Sequence, residues 1–137
     1  MRTDGSTRLS LTRLIVLSGF AGLLCGCNMM SGYTNNQAGI LYHENGNYAA
    51  ARLKFQQSVA DNPQNADYVH NLGSAAKKQG DIAGAERIYR QALNVNPSHQ
   101  PSYHSLAMLL IEQGRQPDAG DLLQTWSDTQ PYIPESH

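Results

Sequence analysis

Small, apolar and aromatic side chains return along this chain at a constant interval of 34 residues. Pro63, Pro97 and Pro131 keep that spacing, as do Gly46, Gly80 and Gly114. Ala51, Ala85 and Ala119 form a third column, and Phe55, Tyr89 and Leu123 a fourth. The small trio Gly39, Gly73 and Ala107 forms a fifth. A fixed period of about 20–50 residues marks a repeat array. Each proline should end a helix, because its ring cannot continue the hydrogen-bond ladder. Each column glycine should end another, because glycine readily takes the left-handed conformation of a helix terminus. Asn47 and Asp81 then suit the start of the next helix. Arg115 in the same place is a poor cap, so the third turn is expected to be weaker. The pattern predicts six helices of roughly 12–14 residues, at about 33–45, 48–61, 66–79, 82–95, 100–113 and 116–129.

The columns also assign packing roles. Gly73 and Ala85 let two helices approach closely, and a larger side chain there would overpack by about 1–3 kcal/mol. Phe55, Tyr89 and Leu123 fill the space left beside such small residues. The stretch NLGSAAKKQGDIAGAERIYRQALNVNP, residues 71–97, shows the pattern most fully. It resembles the tetratricopeptide repeat (TPR), with Leu72-Gly73, Gly80-Asp81, Ala85, Tyr89, Ala92 and Pro97 in that family's spacing. The unit at 32–65 carries Ala38-Gly39, Tyr42, Gly46-Asn47, Ala51, Phe55 and Pro63. The unit at 100–133 carries Leu106-Ala107, Leu110, Gly114, Ala119, Leu123 and Pro131. The resemblance implies an all-α fold: three units, 32–65, 66–99 and 100–133, stacked as a short right-handed α-solenoid, with a tail at 134–137. Each unit buries its apolar side on the next.

The resemblance further implies a concave groove lined by the first helix of each pair. Its positions map to Tyr33, Asn36, Ile40, His43 and Glu44 in the first unit. In the second they are Asp67, His70, Ser74, Lys77 and Lys78, and in the third Pro101, His104, Met108, Ile111 and Glu112. Such a floor is apolar or aromatic at both ends, with two lysines in the middle that would meet an acidic residue of a bound protein or peptide. It does not match the chaperone-tail clamp of some TPR proteins. Asn36, Ile40, Pro101 and Ser105 stand where that clamp has other residues, and only Asn71 agrees.

A different apolar stretch precedes the repeats. Residues 1–13 carry Arg2, Arg8 and Arg13 against the single acid Asp4, and residues 14–24, LIVLSGFAGLL, hold no charge. A basic head, a short apolar run and small residues after it read as a secretory signal peptide. A membrane span needs about 20 apolar residues, and Asn28 closes this run early. The only two cysteines, Cys25 and Cys27, follow it. One intervening residue makes an unstrained disulfide between them unfavourable. Leu24-Cys25-Gly26-Cys27 resembles the lipobox of bacterial lipoproteins, in which the final Cys is alkylated with diacylglycerol, the signal is cut before it and the new amino terminus is acylated. The resemblance implies a signal peptide at 1–26, lipidation at Cys27 and a tether over 27–31. Asn28 in the next position resembles the pattern that sorts enteric-type lipoproteins to the outer membrane, which implies an anchor on its periplasmic face. Two or more acyl chains hold a protein stably, where one does so only marginally.

Composition narrows the chemistry. Net charge is −1 and charged residues are 15% of the chain, without the basic excess of a general nucleic-acid binder. No G-x-S-x-G, phosphate-binding glycine loop or H-E-x-x-H is present, and the Gly80–Gly84 stretch lacks the Gly-Lys of a phosphate loop. No enzyme and no cofactor are expected. The alternative to a protein-binding scaffold is a metal-binding or sensing protein on the same repeats. His70 and His104 are one period apart, and His43 lies on another groove position. Three imidazoles along one surface would suit Zn²⁺ or Cu²⁺, although no short-spaced ligand cluster supports it.

The last helix raises one more expectation. Trp126 stands where Ala92 stands one unit earlier, a position that usually packs under a following helix. Three outcomes are open: Trp126, Leu122 and the tail fold back as a cap; the helix binds another copy or a partner; or the array continues in a longer chain.

Overall fold

A computed structural model describes residues 30–129. The expected signal segment, Cys27, Pro131 and the tail lie outside them. The described residues form six helices and no strand: α1 over residues 30–44, α2 Tyr48–Asp61, α3 Ala66–Lys78, α4 Ile82–Val95, α5 Gln100–Glu112 and α6 Gln116–Thr129. They pair as α1/α2, α3/α4 and α5/α6, and the pairs stack into the short α-solenoid that the period predicts. Contacts run α2 to α3, α3 to α4, α4 to α5 and α5 to α6, while α3 also touches α5. None of these helices is long and apolar enough to cross a membrane.

The turn inside each pair is the same device three times. Gly46, Gly80 and Gly114 have φ of 74°, 81° and 75°. Around each, a backbone N–H reaches back to close the preceding helix: Asn47 to Tyr42 at 2.9 Å, Asp81 to Ala76 at 3.0 Å and Arg115 to Leu110 at 2.9 Å. The third turn keeps the same backbone closure, although Arg115 offers no cap to the helix that follows. Its side chain does not cap the helix. Instead its guanidinium donates to Asp118 at 2.7 Å and to Glu86 at 2.8 Å, fastening the turn to α4. Asn47 and Asp81 do cap, accepting from the N–H of Ala50 and Gly84 at 3.2 and 3.0 Å. Asn65 caps α3 in the same way. α2 and α4 stop two residues before Pro63 and Pro97, since the residue ahead of a proline is pushed out of the α region.

Side-chain size sets the packing inside a pair. A Cβ on Gly73 would lie 2.7 Å from Tyr89 Cε1, and one on Gly39 would lie 2.5 Å from Phe55 Cε1. Only glycine lets the rings sit there. In the third unit the small position is Ala107 and the aromatic one is Leu123, so a methyl is matched by a shorter partner. Ala51, Ala85 and Ala119 are all buried. The larger apolar cluster spans the second and third units, with Val69, Ile88, Tyr89, Leu106, Leu109 and Leu110 at its centre. A smaller one joins Ala51 and Phe55 to Ala75 of the next unit.

One boundary differs from the sequence expectation. The tether was expected to run through residue 31, yet residues 30–32 already belong to α1. The cause is a contact across units: Gly32 is buried, and its Cβ position would fall 3.3 Å from Asp61 Cβ and 3.4 Å from Tyr68 Cε2.

Candidate protein-interaction groove

The first helices α1, α3 and α5 lie side by side, and the polar residues between them are tied in cross-links from one unit to the next. Asn71 donates its side-chain amide to Asn36 Oδ1 at 3.0 Å. His43 Nε2 and Ser74 Oγ share a hydrogen bond at 3.3 Å. Lys77 Nζ donates to the Glu112 carboxylate at 2.9 Å. A fourth link joins α3 to the start of α5: Asp67 Oδ1 meets His99 Nε2 at 3.0 Å, His99 Nδ1 meets Ser102 Oγ at 2.7 Å, and Ser102 Oγ meets His70 Nδ1 at 3.3 Å.

These links sort the sequence-predicted groove residues into two groups. Asn36 is buried at 6% exposure and spends its acceptor on Asn71. His43, His70, Ser74 and Lys77 are half-buried and engaged with neighbours. Tyr33, Glu44, Lys78, His104, Met108, Ile111 and Glu112 present surface to solvent. Ile40 is half-buried against the Phe55 cluster. Two hollows follow the groove and meet at Ser74. One is lined by Ile40, His43, Glu44, Phe55, Asn71 and Ser74. The other, of ≈ 450 Å³, is lined by Ser74, Lys77, Lys78, Tyr89, His104, Ser105, Met108 and Glu112. Its floor is the Tyr89 phenol, whose pKa burial pushes up against hydrogen bonds with Ser105 and Ser74.

The imidazoles do not converge. His43 is bonded to Ser74 and His70 to Ser102, and among the described residues no three His, Cys, Asp or Glu side chains are placed to hold a metal ion. Burial lowers the pKa of His43, with Lys78 adding to the effect and Glu44 opposing it. Burial lowers His70 to about 4, helped by His99 and opposed by Asp67. The Asp67–His99–Ser102 order has the residue types of a hydrolytic triad. Ser102, however, has no accessible surface and also meets His70, so no substrate carbonyl can reach its oxygen.

Sequence reasoning missed the cross-links. Their partners are 31 to 35 positions apart, close to the period but off it, and the column method compares only residues in identical register. His99 was not singled out, although it is buried and central to the fourth link.

Stacked helix pairs with a cross-linked concave face define an all-α repeat scaffold for protein–protein contact. The tetratricopeptide repeat profile matches residues 42–107 and 76–132, more than half of the chain. The chain belongs to the tetratricopeptide repeat family, whose members are in general scaffolds without catalytic activity. It is 38% identical over 81 residues to human Tetratricopeptide repeat protein 8, covering 58% of this chain and 15% of that protein. It is 32% identical over 87 residues to Cellulose synthase operon protein C of Pseudomonas fluorescens, covering 64% and 7%. The chain thus spans less than a sixth of the length of these relatives. Among solved structures, the Arabidopsis OM64 TPR domain aligns at TM-score 0.69 and 16% identity, over 78% of this chain and 88% of that one. The TPR2B domain of yeast Sti1, in a complex with an Hsp70 peptide, aligns at 0.68 and 18%, over 71% and 78%. The second TPR of Spaghetti, bound to an HSP90 peptide, aligns at 0.67 and 18%, over 75% and 95%. At such identities the likeness shows the fold alone.

Proposed function

We propose that this chain is a lipid-anchored scaffold of the bacterial envelope that holds a peptide segment of a partner in its concave groove. The observation that carries the reading is the continuous first-helix groove. Its half-buried polar residues already serve the fold, while Lys78, His104, Met108 and Ile111 stand exposed along one face. A partner with an acidic residue beside an apolar one fits that combination. Two of the structural neighbours hold chaperone peptides, which supports peptide capture as the mode. The chemistry differs here, because the matching clamp residue Asn71 is occupied by Asn36.

The basic head, apolar run and Leu24-Cys25-Gly26-Cys27 sequence support export and lipidation of Cys27. Asn28 supports the periplasmic face of the outer membrane as the address. With α1 already formed at residue 30, only two residues separate it from Cys27, so the groove would ride close to the bilayer. A role in assembling a pilus, a secretion channel or another envelope machine rests on the resemblance to small TPR lipoproteins that serve such machines. The last helix, with Leu123 exposed, supports a second contact, with another copy of the chain. Crosslinking in the native cell followed by mass spectrometry tests the groove: crosslinks at Lys78 to an envelope protein are expected, and their absence overturns it. A Cys27→Ala variant tests the anchor: it should leave the membrane fraction, and unchanged fractionation rules the lipid out.

A further inference from the structure

The two ends of the solenoid are unlike its interior in one respect. In the column of Leu41, Ala75 and Leu109, exposure is 60%, 0% and 1%. In the column of Tyr42, Ala76 and Leu110 it is 41%, 0% and 0%. In the column of Phe55, Tyr89 and Leu123 it is 2%, 2% and 42%. The first two columns are covered wherever a unit precedes them, and the third wherever a unit follows it. The covering contact is explicit inside the chain. Ala75 shares a cluster with Phe55 of the unit before, and Leu109 shares one with Tyr89. Arrays stay soluble when their terminal faces are polar, and here each outer face exposes a large apolar side chain, Leu41 and Tyr42 on one and Leu123 on the other.

The ends also match in charge. Each internal joint carries an ion pair from a second helix to the next turn: Arg52 to Asp81 at 2.7 Å, then Glu86 to Arg115 at 2.8 Å. One period further on, the same two positions at a joint between copies are Gly120 and Asn47. Neither is charged, and a Cβ on Gly120 would meet nothing within 4 Å. No like charges oppose one another there, and nothing bulky stands in the way.

We propose that Leu123 of one chain receives Leu41 and Tyr42 of a second copy, so that chains join head to tail and continue the solenoid. This deepens the reading of the last helix as a self-contact and is independent of what the groove holds. The joint is an extension of the packing between units: an aromatic with Ala75, an aromatic with Leu109, then leucine with leucine. It is heterologous, so a linear assembly keeps a free face at each of its two ends and growth beyond two copies is allowed. Lacking an ion pair, it should be insensitive to salt.

Sedimentation velocity of the full chain in detergent, which keeps residues 14–24 from associating, tests the polarity. The wild type is expected to form species that grow with concentration past the dimer, equally at low and high salt. Leu41→Glu and Leu123→Glu should each be monomeric, with wild-type helix content by circular dichroism. Mixed, they should form a one-to-one dimer and stop, because each variant keeps one intact end. A wild type that stays monomeric overturns the proposal, and means that the chain's own last segment or solvent covers Leu123. A dimer that is not rescued by mixing overturns it too, and means a symmetric contact. Crosslinking at Lys78, read on the same variants, reports the groove separately.

Discussion

His99 and Ser102, three residues apart at the start of α5, hold one another at 2.7 Å and together bolt that helix to α3. The direction of the hydrogen bonds can be worked out. The Asp67 carboxylate only accepts, so His99 Nε2 carries a proton. Ser102 Oγ stands between His99 Nδ1 and His70 Nδ1 and has one proton to donate, so one of the two rings must donate to it. A proton added to His70 places its charge in a ring whose centre lies 5.7 Å from that of His99.

Stability should therefore fall in mild acid. The folded pKa of His70 is lowered from 6.5 to about 4, chiefly by burial. A base lowered in this way contributes fully above its unfolded value, and the contribution is lost as pH falls from 6.5 toward 4. At about 1.4 kcal/mol per unit, the loss is about 2–3 kcal/mol after allowance for the ring's partial exposure. Urea unfolding at pH 7 and pH 4.5 measures it, and His70→Asn should flatten the difference. An equal acid loss in that variant would assign the effect to other groups.

Gly73→Ala should overpack the second unit. The new methyl meets the Tyr89 ring at 2.7 Å, which costs about 1–3 kcal/mol. Adding Tyr89→Leu should recover part of it, because the third unit already combines Ala107 with Leu123. A double-mutant cycle in urea gives the coupling, and strict additivity would contradict the contact.

Gly80→Ala tests the turn without touching packing. No atom lies within 4 Å of its Cβ position, while φ is 81°. The cost is then purely that of a left-handed residue, about 1–2 kcal/mol. Gly80→Asn should lose less, since asparagine tolerates that region better. Thermal melts of both variants check the order.

In the groove, Lys77 and Lys78 should behave differently. Lys77 is paired with Glu112, so Lys77→Glu with Glu112→Lys should preserve partner capture. Lys78→Glu should reduce capture of an acidic partner tenfold or more, mainly through a slower on-rate, because the charge is exposed. Unchanged pull-down with Lys78→Glu would show that this face does not bind.

The helices were legible because a period exposes every position that packing forces to be small, large or left-handed. Gly46, Gly80 and Gly114 could be placed in turns from spacing alone, and so could the close approach of Gly73 to an aromatic. The start of α1 was not legible. Gly32 reads locally as a helix breaker, and only its burial against Asp61 and Tyr68 keeps it helical. The ion pair of Arg115 was not legible for a similar reason. A cap preference is a local statement, whereas its ion pair with Glu86 spans 29 positions. Within the site, the sequence located the groove but not the division of labour in it. Asn36 and Lys77 have the same exposed-polar look as Lys78, and only their partners Asn71 and Glu112 remove them from play.

The apolar interior is shared unequally, with the larger cluster in the second and third units and the smaller one under α1 and α2. The joint from α2 to α3 is nonetheless held by Phe55 with Ala75 and by the Arg52–Asp81 ion pair. A pull applied from the amino-terminal side would load those contacts before it reached the other four helices.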